Sequence, residues 1–383
     1  MSNDRQNIVV VGGGPVGAAT VKALLASKSF NSAAQRIVVV TSRPFFVHLP
    51  AMIRATVTSE DALETTALME YGSSFVPADK GEVKFGKVVK IIEDGKDEGG
   101  SVVLEGGQSI RYSVLVLATG NLWNGPMDIP DDKKGIQGLF DSWRAKFEKA
   151  QNIVLVGGGA VGIEYAGEIK DFFPTKKVTI VQGESKLLND TYPDKWRDAI
   201  LARVKRGGVD VILDDLLDQT EPSSDGTVTT RKGQSIKADL IVPTWGGRPN
   251  TSFIKEFLGT DSLTPTGHVK VKPTLQLPDH PRIFAAGDII DWKEQKQAAK
   301  APAHGAVVAS NILTLLNGTG ELVPYKGSTE IIVVTFGRGG GSAYFDFLWG
   351  LIFGDWFAWL LKSRGLLIEM TRSQYGLAAP SSA

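Results

Sequence analysis

The 383-residue sequence contains no cysteine. That absence excludes disulfides, thiolate nucleophiles and any relay that passes electrons through a thiol pair or a single reactive thiol. It leaves the cellular compartment open. Histidine is scarce, with four in the chain. His48, His268 and His280 have no mutual spacing that suggests a metal site, so no metal is expected. Net charge is lacking too: Lys+Arg and Asp+Glu balance at 42 each. Nothing global therefore argues for nucleic acid or an acidic partner. No uninterrupted apolar run reaches the roughly 18 residues of a membrane span. The stretch Met1–Gln6 ahead of the first apolar run is expected to carry no signal or transit peptide, and without Gly at position 2 no myristoylation signal. What is present is ample apolar material, 42% of residues, enough for roughly two or three domains.

One glycine signature occurs twice, each time directly after a short apolar run. Ile8-Val9-Val10-Val11 leads into Gly12-Gly13-Gly14-Pro15-Val16-Gly17, and Ile153-Val154-Leu155-Val156 into Gly157-Gly158-Gly159-Ala160-Val161-Gly162. Each fits G-x-G-x-x-G at a strand-to-helix turn, where glycine lets backbone approach a pyrophosphate at a helix N-terminus. One such motif is a weak signal. Two imply two dinucleotide sites, most simply a flavin and a nicotinamide nucleotide, and hence a redox enzyme.

The first unit reads as a βαβ start, with a helix from about Pro15 to Ala26 and a second strand at 37–40. The acid that usually ends that second strand and bonds the adenosine ribose is missing, and Thr41 and Ser42 stand there instead. Phe45–Ala55 reads as helix or loop with one cation, Arg54, either solvated or at a phosphate. Residues 80–112 read as a β-meander before the apolar strand that ends in Ala118-Thr119-Gly120, a crossing point. Asn121–Gly138, rich in Pro, Gly and Asp, reads as linker. The second unit has strands at 153–156 and 178–181 and helices near 161–171 and 194–206. After its second strand, Gln182-Gly183-Glu184-Ser185-Lys186 offers no acid at the expected ribose position; Glu184 comes two residues late. Lys186 could reach a 2′-phosphate, so NADH and NADPH both stay open. Leu240–Asn250 reads as the return crossing. Arg282–Ala286 leads into Gly287-Asp288, where a carboxylate accepts ribityl hydrogen bonds or merely caps a turn, ahead of a helix near Ala301.

This order of elements resembles the two-dinucleotide-binding flavoprotein superfamily, the pyridine nucleotide–disulfide oxidoreductases, in its cysteine-free branch. Within it the chain is most similar to the apoptosis-inducing-factor-like group, which includes ferroptosis suppressor protein and is related to type II NADH dehydrogenases. The likeness covers about residues 7–372 and includes Ala51-Met52-Ile53-Arg54-Ala55, Gly162-Ile163-Glu164, His304 and Lys362-Ser363-Arg364. It implies an α/β chain with two Rossmann-like domains. An FAD-binding domain would comprise residues 1–122 and 276–328, an NAD(P)H-binding domain 123–275, and a small C-terminal domain 329–383. FAD would be held by Gly12, Gly13, Gly14, Pro15, Val16, Gly17, Arg54, Asp288 and, through its backbone at the adenine, Val88. Gly157, Gly159 and Gly162 would hold NAD(P)H. Glu164 would point into the cleft between nicotinamide and isoalloxazine; the bland alternative is a helix-start acid favoured by the macrodipole. Lys362 would lie near the flavin.

Without a thiol, electrons must pass straight from flavin to an acceptor, and the resemblance implies a quinone. Glu164, His304 and Lys362 are the candidate catalytic residues, as proton sources and, for Lys362, as a charge that stabilises reduced flavin. The aromatic segment 344–364 reads either as a face for peripheral membrane contact, or as packed against the chain's own core or a homodimer partner. The expectation is an FAD-dependent NAD(P)H:quinone oxidoreductase, cytoplasmic or peripheral on a membrane. The alternatives are a ferredoxin-type reductase with a protein acceptor, and a redox-sensing NADH-binding flavoprotein with little turnover.

Overall fold

The computed structural model describes residues 5–95, 97–347 and 349–378. The two apolar runs that precede the glycine signatures are interior strands of two sheets, the first parallel but for one antiparallel edge strand and the second wholly parallel. The first sheet has six strands in the order Gln276–Leu277, His280–Ala285, Val114–Leu117, Gln6–Val11, Gln35–Thr41, Gly81–Phe85. Its central strands carry buried Val/Ile/Leu runs, Ile8–Val11, Ile37–Val40 and Val114–Leu117, as a sheet covered on both faces requires. Helix Pro15–Ala26 covers one face and packs on helix Ala301–Asn317. Gly305 makes that approach possible, since a Cβ there would stand 2.6 Å from the Ala19 carbonyl carbon. Strand His280–Ala285 joins Val114–Leu117 in parallel, so the late part of the chain returns to complete the first sheet.

The second sheet has four parallel strands in the order Val209–Ile212, Lys177–Val181, Asn152–Val156, Leu240–Pro243. Outward and return crossings between the two sheets run side by side: Asn121–Leu122 pairs antiparallel with Arg248–Pro249. Thr119 Oγ1 donates to the Asn250 carbonyl at 2.7 Å, and Asn250 N–H to that of Gly120 at 2.9 Å.

Three segments differ from the sequence expectation. The stretch expected as a linker contains the start of helix Lys133–Lys149, capped by Asp132, which accepts from Gly135 N–H at 2.8 Å. Ile136, Phe140, Trp143 and Phe147 form its buried stripe, hidden in a sequence that is otherwise polar. Phe45–Ala55 divides into a strand, Phe45–Val47, paired with Leu68–Glu70, and a helix, Leu49–Val57. Residues 344–364 are not one element. Strands Ile331–Thr335, Gly341–Phe345 and Leu351–Phe353 form an antiparallel sheet, and helix Asp355–Ala358 runs on into a π-helical turn, Trp359–Ser363. Trp196 Nε1 donates to Ser342 Oγ at 2.8 Å and fastens this sheet to the second unit. Among the described residues, no helix is long and apolar enough to cross a membrane.

Candidate functional site

The two glycine turns repeat one geometry. Gly12 and Gly157 have φ of +111° and +115°, a region closed to most L side chains. A Cβ at Gly12 would lie 2.2 Å from the Ala118 carbonyl oxygen, and one at Gly157 3.0 Å from Trp245 N. The last glycine of each motif seats helix on strand: Cβ atoms at Gly17 and Gly162 would lie 1.9 and 2.0 Å from the carbonyl oxygens of Gly12 and Gly157. Gly14 and Gly159 face open space. Each is the N-cap of its helix, with no capping side chain and no acid in the first turn. Uncapped amides at the positive end of a helix, beside open space, suit a pyrophosphate. Both cradles therefore fit a dinucleotide.

Asp288 lies beside the first cradle. It lies in the turn Gly287–Ile289, and a Cβ on Gly287 would meet Val16 Cγ2 at 2.8 Å, so this turn abuts the start of helix Pro15–Ala26. Burial raises the Asp288 carboxyl above the usual carboxylate range. Its Oδ2 accepts from Asn121 Nδ2 at 3.0 Å. His304 supports the same turn: its Nδ1 accepts from Gly287 N–H at 2.9 Å, and its Nε2 lies 2.7 Å from Glu294. Tyr325 OH also donates to Glu294, at 2.8 Å. With Nδ1 accepting, Nε2 carries the hydrogen, and both ring nitrogens of this buried imidazole are committed to protein. That corrects the expectation of His304 as a proton source: here it positions the Asp288 turn.

Val88 opens a strand just beyond Gly86, whose N–H donates to the Thr41 carbonyl at 2.9 Å. Thr41 is buried where the ribose acid was expected. Tyr71 stands beside it and donates to the Gly13 carbonyl at 3.0 Å. A carboxylate arrives from elsewhere: Asp131 accepts from Ser42 Oγ at 2.9 Å and pairs with Arg43 at 3.2 Å.

Glu164 and Lys362 come together. Glu164 is buried on helix Ala160–Phe172, and its Oε1 accepts from Thr335 N–H at 3.0 Å and from Lys362 Nζ at 2.5 Å. Lys362 also donates to the Val333 carbonyl at 3.0 Å. Arg54 behaves otherwise than a phosphate ligand. Its side chain is 1% exposed, and its Nε and Nη2 donate to the two oxygens of Glu168 at 2.9 and 3.0 Å. Nη2 also reaches the Ser363 carbonyl at 3.0 Å. A buried cation demands a counter-charge, and a phosphate would have to displace Glu168 to claim this fork. Asn121, Tyr71 and Asp131 carried no motif signal, because each acts through a partner remote in sequence. Among the described residues no cluster of His, Cys, Asp or Glu could hold a metal.

Comparison with known proteins agrees with this geometry. The pyridine nucleotide–disulphide oxidoreductase family matches residues 6–305. An FAD-dependent oxidoreductase of Flammulina velutipes, FVFD30, is 43% identical over 320 residues, covering 84% of this chain and 98% of that protein. Ferroptosis suppressor protein 1 of Taeniopygia guttata is 31% identical over 387 residues, covering 98% and 97%. Among solved structures, the sulfide:quinone oxidoreductase of Aquifex aeolicus has a TM-score of 0.76 at 17% identity, over 96% of this chain and 92% of that one, a likeness of fold. The chain belongs to the pyridine nucleotide–disulphide oxidoreductase family, in the group of apoptosis-inducing factor homologues and ferroptosis suppressor protein 1, as an FAD-dependent oxidoreductase that uses FAD and NAD(P)H.

Proposed function

We propose that the protein takes hydride from NAD(P)H onto FAD and reduces a quinone-type acceptor directly from the flavin. The carrying observation is the Glu164–Lys362 pair in a chain with no cysteine. FAD, when bound, supplies the two-electron chemistry. The protein's own residues bind and orient. Gly12 to Gly17 would hold the flavin nucleotide, Asp288 its ribityl chain, and Gly157, Gly159 and Gly162 the nicotinamide nucleotide. Lys362 Nζ is held between Glu164 and the Val333 carbonyl. Quinone reduction consumes protons and builds negative charge, and this cation answers both needs.

The C-terminal surface supports a lipophilic acceptor. Trp349 is 100% exposed, and Trp356, Trp359, Leu360 and Leu361 are exposed beside it. The Arg364 guanidinium lies 5.6 Å from the Trp359 ring centroid. Tryptophan and leucine flanked by cations suit the headgroup level of a bilayer. In this reading the protein works peripherally on a membrane.

The test is anaerobic reduction of the holoenzyme followed by rapid mixing with a short-chain quinone. Fast reoxidation is expected; reoxidation only by ferredoxin, or slow reoxidation with every acceptor, overturns the reading. Lys362→Met should slow quinone reduction about 100-fold with FAD content unchanged. Unchanged turnover and unchanged flavin potential in that variant would remove Lys362 from the mechanism.

A further inference from the structure

The corner of the second cradle that faces the adenosine ribose is built unusually. Gln182, a neutral amide, follows strand Lys177–Val181 where an NAD site ordinarily carries an acid. Its Oε1 accepts from Gly158 N–H at 2.7 Å, and its Nε2 lies 3.4 Å from the Lys186 carbonyl. Leu188 N–H donates to the Gly158 carbonyl at 2.8 Å. On the other side Asp214 and Asp215 N–H groups donate to the carbonyls of Glu184 and Gln182. Loop 182–188 is thus fixed against the glycine turn, and with it the base of the Lys186 side chain.

Lys186 is the one cation in this loop, but its charge is spent within the protein. Nζ lies 2.8 Å from Asp198 Oδ1 and 3.3 Å from Asp194 Oδ2, both on helix Asp194–Arg206. Arg197, mostly buried, donates to the Leu187 carbonyl at 3.0 Å and lies 3.4 Å from Asp194. The side chains of Lys195 and Lys232 make no described bond here. Lys186 Nζ itself thus faces two carboxylates, Asp194 and Asp198, with the exposed Glu184 in the same loop. Asp215, which caps the Leu216 and Lys232 amides, has the Lys232 charge beside it. A ribose hydroxyl tolerates the carboxylates around Lys186. A 2′-phosphate, close to doubly negative at neutral pH, does not.

We infer that this chain selects NADH over NADPH, and that Asp194 and Asp198 enforce the choice by occupying Lys186, a latent 2′-phosphate ligand. The inference rests on the reading that the nicotinamide nucleotide occupies the Gly157–Gly162 cradle. Selection here comes from a withheld cation and added repulsion, and needs no acid on the ribose.

The test is calorimetric titration of the FAD-loaded full chain with NAD+ and with NADP+, neither of which reduces the flavin. NADP+ should bind at least about ten-fold more weakly than NAD+. Asp194→Asn combined with Asp198→Asn should tighten NADP+ about ten-fold and leave NAD+ unchanged. Adding Lys186→Ala to that pair should abolish the gain, while Lys186→Ala alone changes neither affinity. Visible absorbance confirms that each variant retains FAD and is folded; Asp198→Asn alone, giving a partial gain, serves if the double variant is not. Equal wild-type affinities, loss of NADP+ binding in Lys186→Ala alone, or no gain in the aspartate variants each overturns the inference. Binding of neither nucleotide by FAD-loaded wild type overturns the cradle reading itself, an outcome distinct from equal binding of both.

Discussion

His48 lies just ahead of helix Leu49–Val57, with Nε2 2.5 Å from the Leu366 carbonyl oxygen. The acceptor there requires the ring to donate from that nitrogen. Burial lowers the pKa of His48 from 6.5 to about 4; the Leu366 bond opposes the fall, and Lys362 and Arg372 add to it. The unfolded chain therefore takes up a proton below about pH 6.5 that the folded chain refuses until about pH 4. Stability from this residue is complete above the upper value and drains away as pH falls through the window. Between pH 8 and pH 4 the loss should be about 3 kcal/mol, read as a fall in the urea midpoint. His48→Gln should flatten that slope, and an identical slope in the variant would refute the assignment. At this scale the sequence was partly legible. The glycines and Asp288 could be read because backbone geometry confines those positions to few residue types. His304 could be noticed but its duty could not, since that depends on Gly287 and Glu294 both meeting one ring.

Helices Leu49–Val57 and Ala160–Phe172 come from the two nucleotide units, and the π-helical turn Trp359–Ser363 from the C-terminal segment. Arg54 ties all three, through Glu168 and the Ser363 carbonyl. Glu168 follows Glu164 by one helical turn, so a single helix face presents one carboxylate to Arg54 and another to Lys362. Burial pushes the Glu168 carboxyl up and Arg54 pulls it back. Arg54→Ala would strand that carboxylate and should destabilise the protein by about 3–5 kcal/mol, whereas Arg54→Met with Glu168→Leu should recover most of the loss. Denaturant unfolding separates these outcomes, and a loss under about 1 kcal/mol in Arg54→Ala would show that the joint is incidental. Arg54 itself was conspicuous as a lone cation in apolar company. Its pairing with Glu168, 114 residues away, was not, because no local pattern specifies a contact across that distance. Helix Lys133–Lys149 was missed for a related reason: four apolar positions among lysines, glutamate and glycine read as linker until a core exists for them to enter.

For the molecule as a whole, the C-terminal segment carries five exposed tryptophan and leucine side chains, Trp349, Trp356, Trp359, Leu360 and Leu361, around the aromatic packing of Phe353 on Phe357, 4.3 Å apart. The full chain should co-sediment with vesicles containing anionic lipid. Replacing Trp356, Trp359 and Leu360 together by serine should weaken that binding about ten-fold or more while reduction of soluble short-chain quinone persists. Equal sedimentation of both proteins would assign this face to something other than lipid. The sequence disclosed that the segment was aromatic and interrupted by aspartates. It did not disclose that the segment folds as a hairpin followed by a helix, which leaves some rings buried and others bare.

The return of strand His280–Ala285 to Val114–Leu117 has a biosynthetic corollary. During translation the first glycine turn emerges early, but strand His280–Ala285, two places away in the same sheet, and Asp288 leave the ribosome only after the entire second nucleotide unit. The first sheet is therefore unfinished throughout most of elongation, and it closes only in the released or nearly released polypeptide. A nascent chain halted before residue 280 holds one half of a clasp.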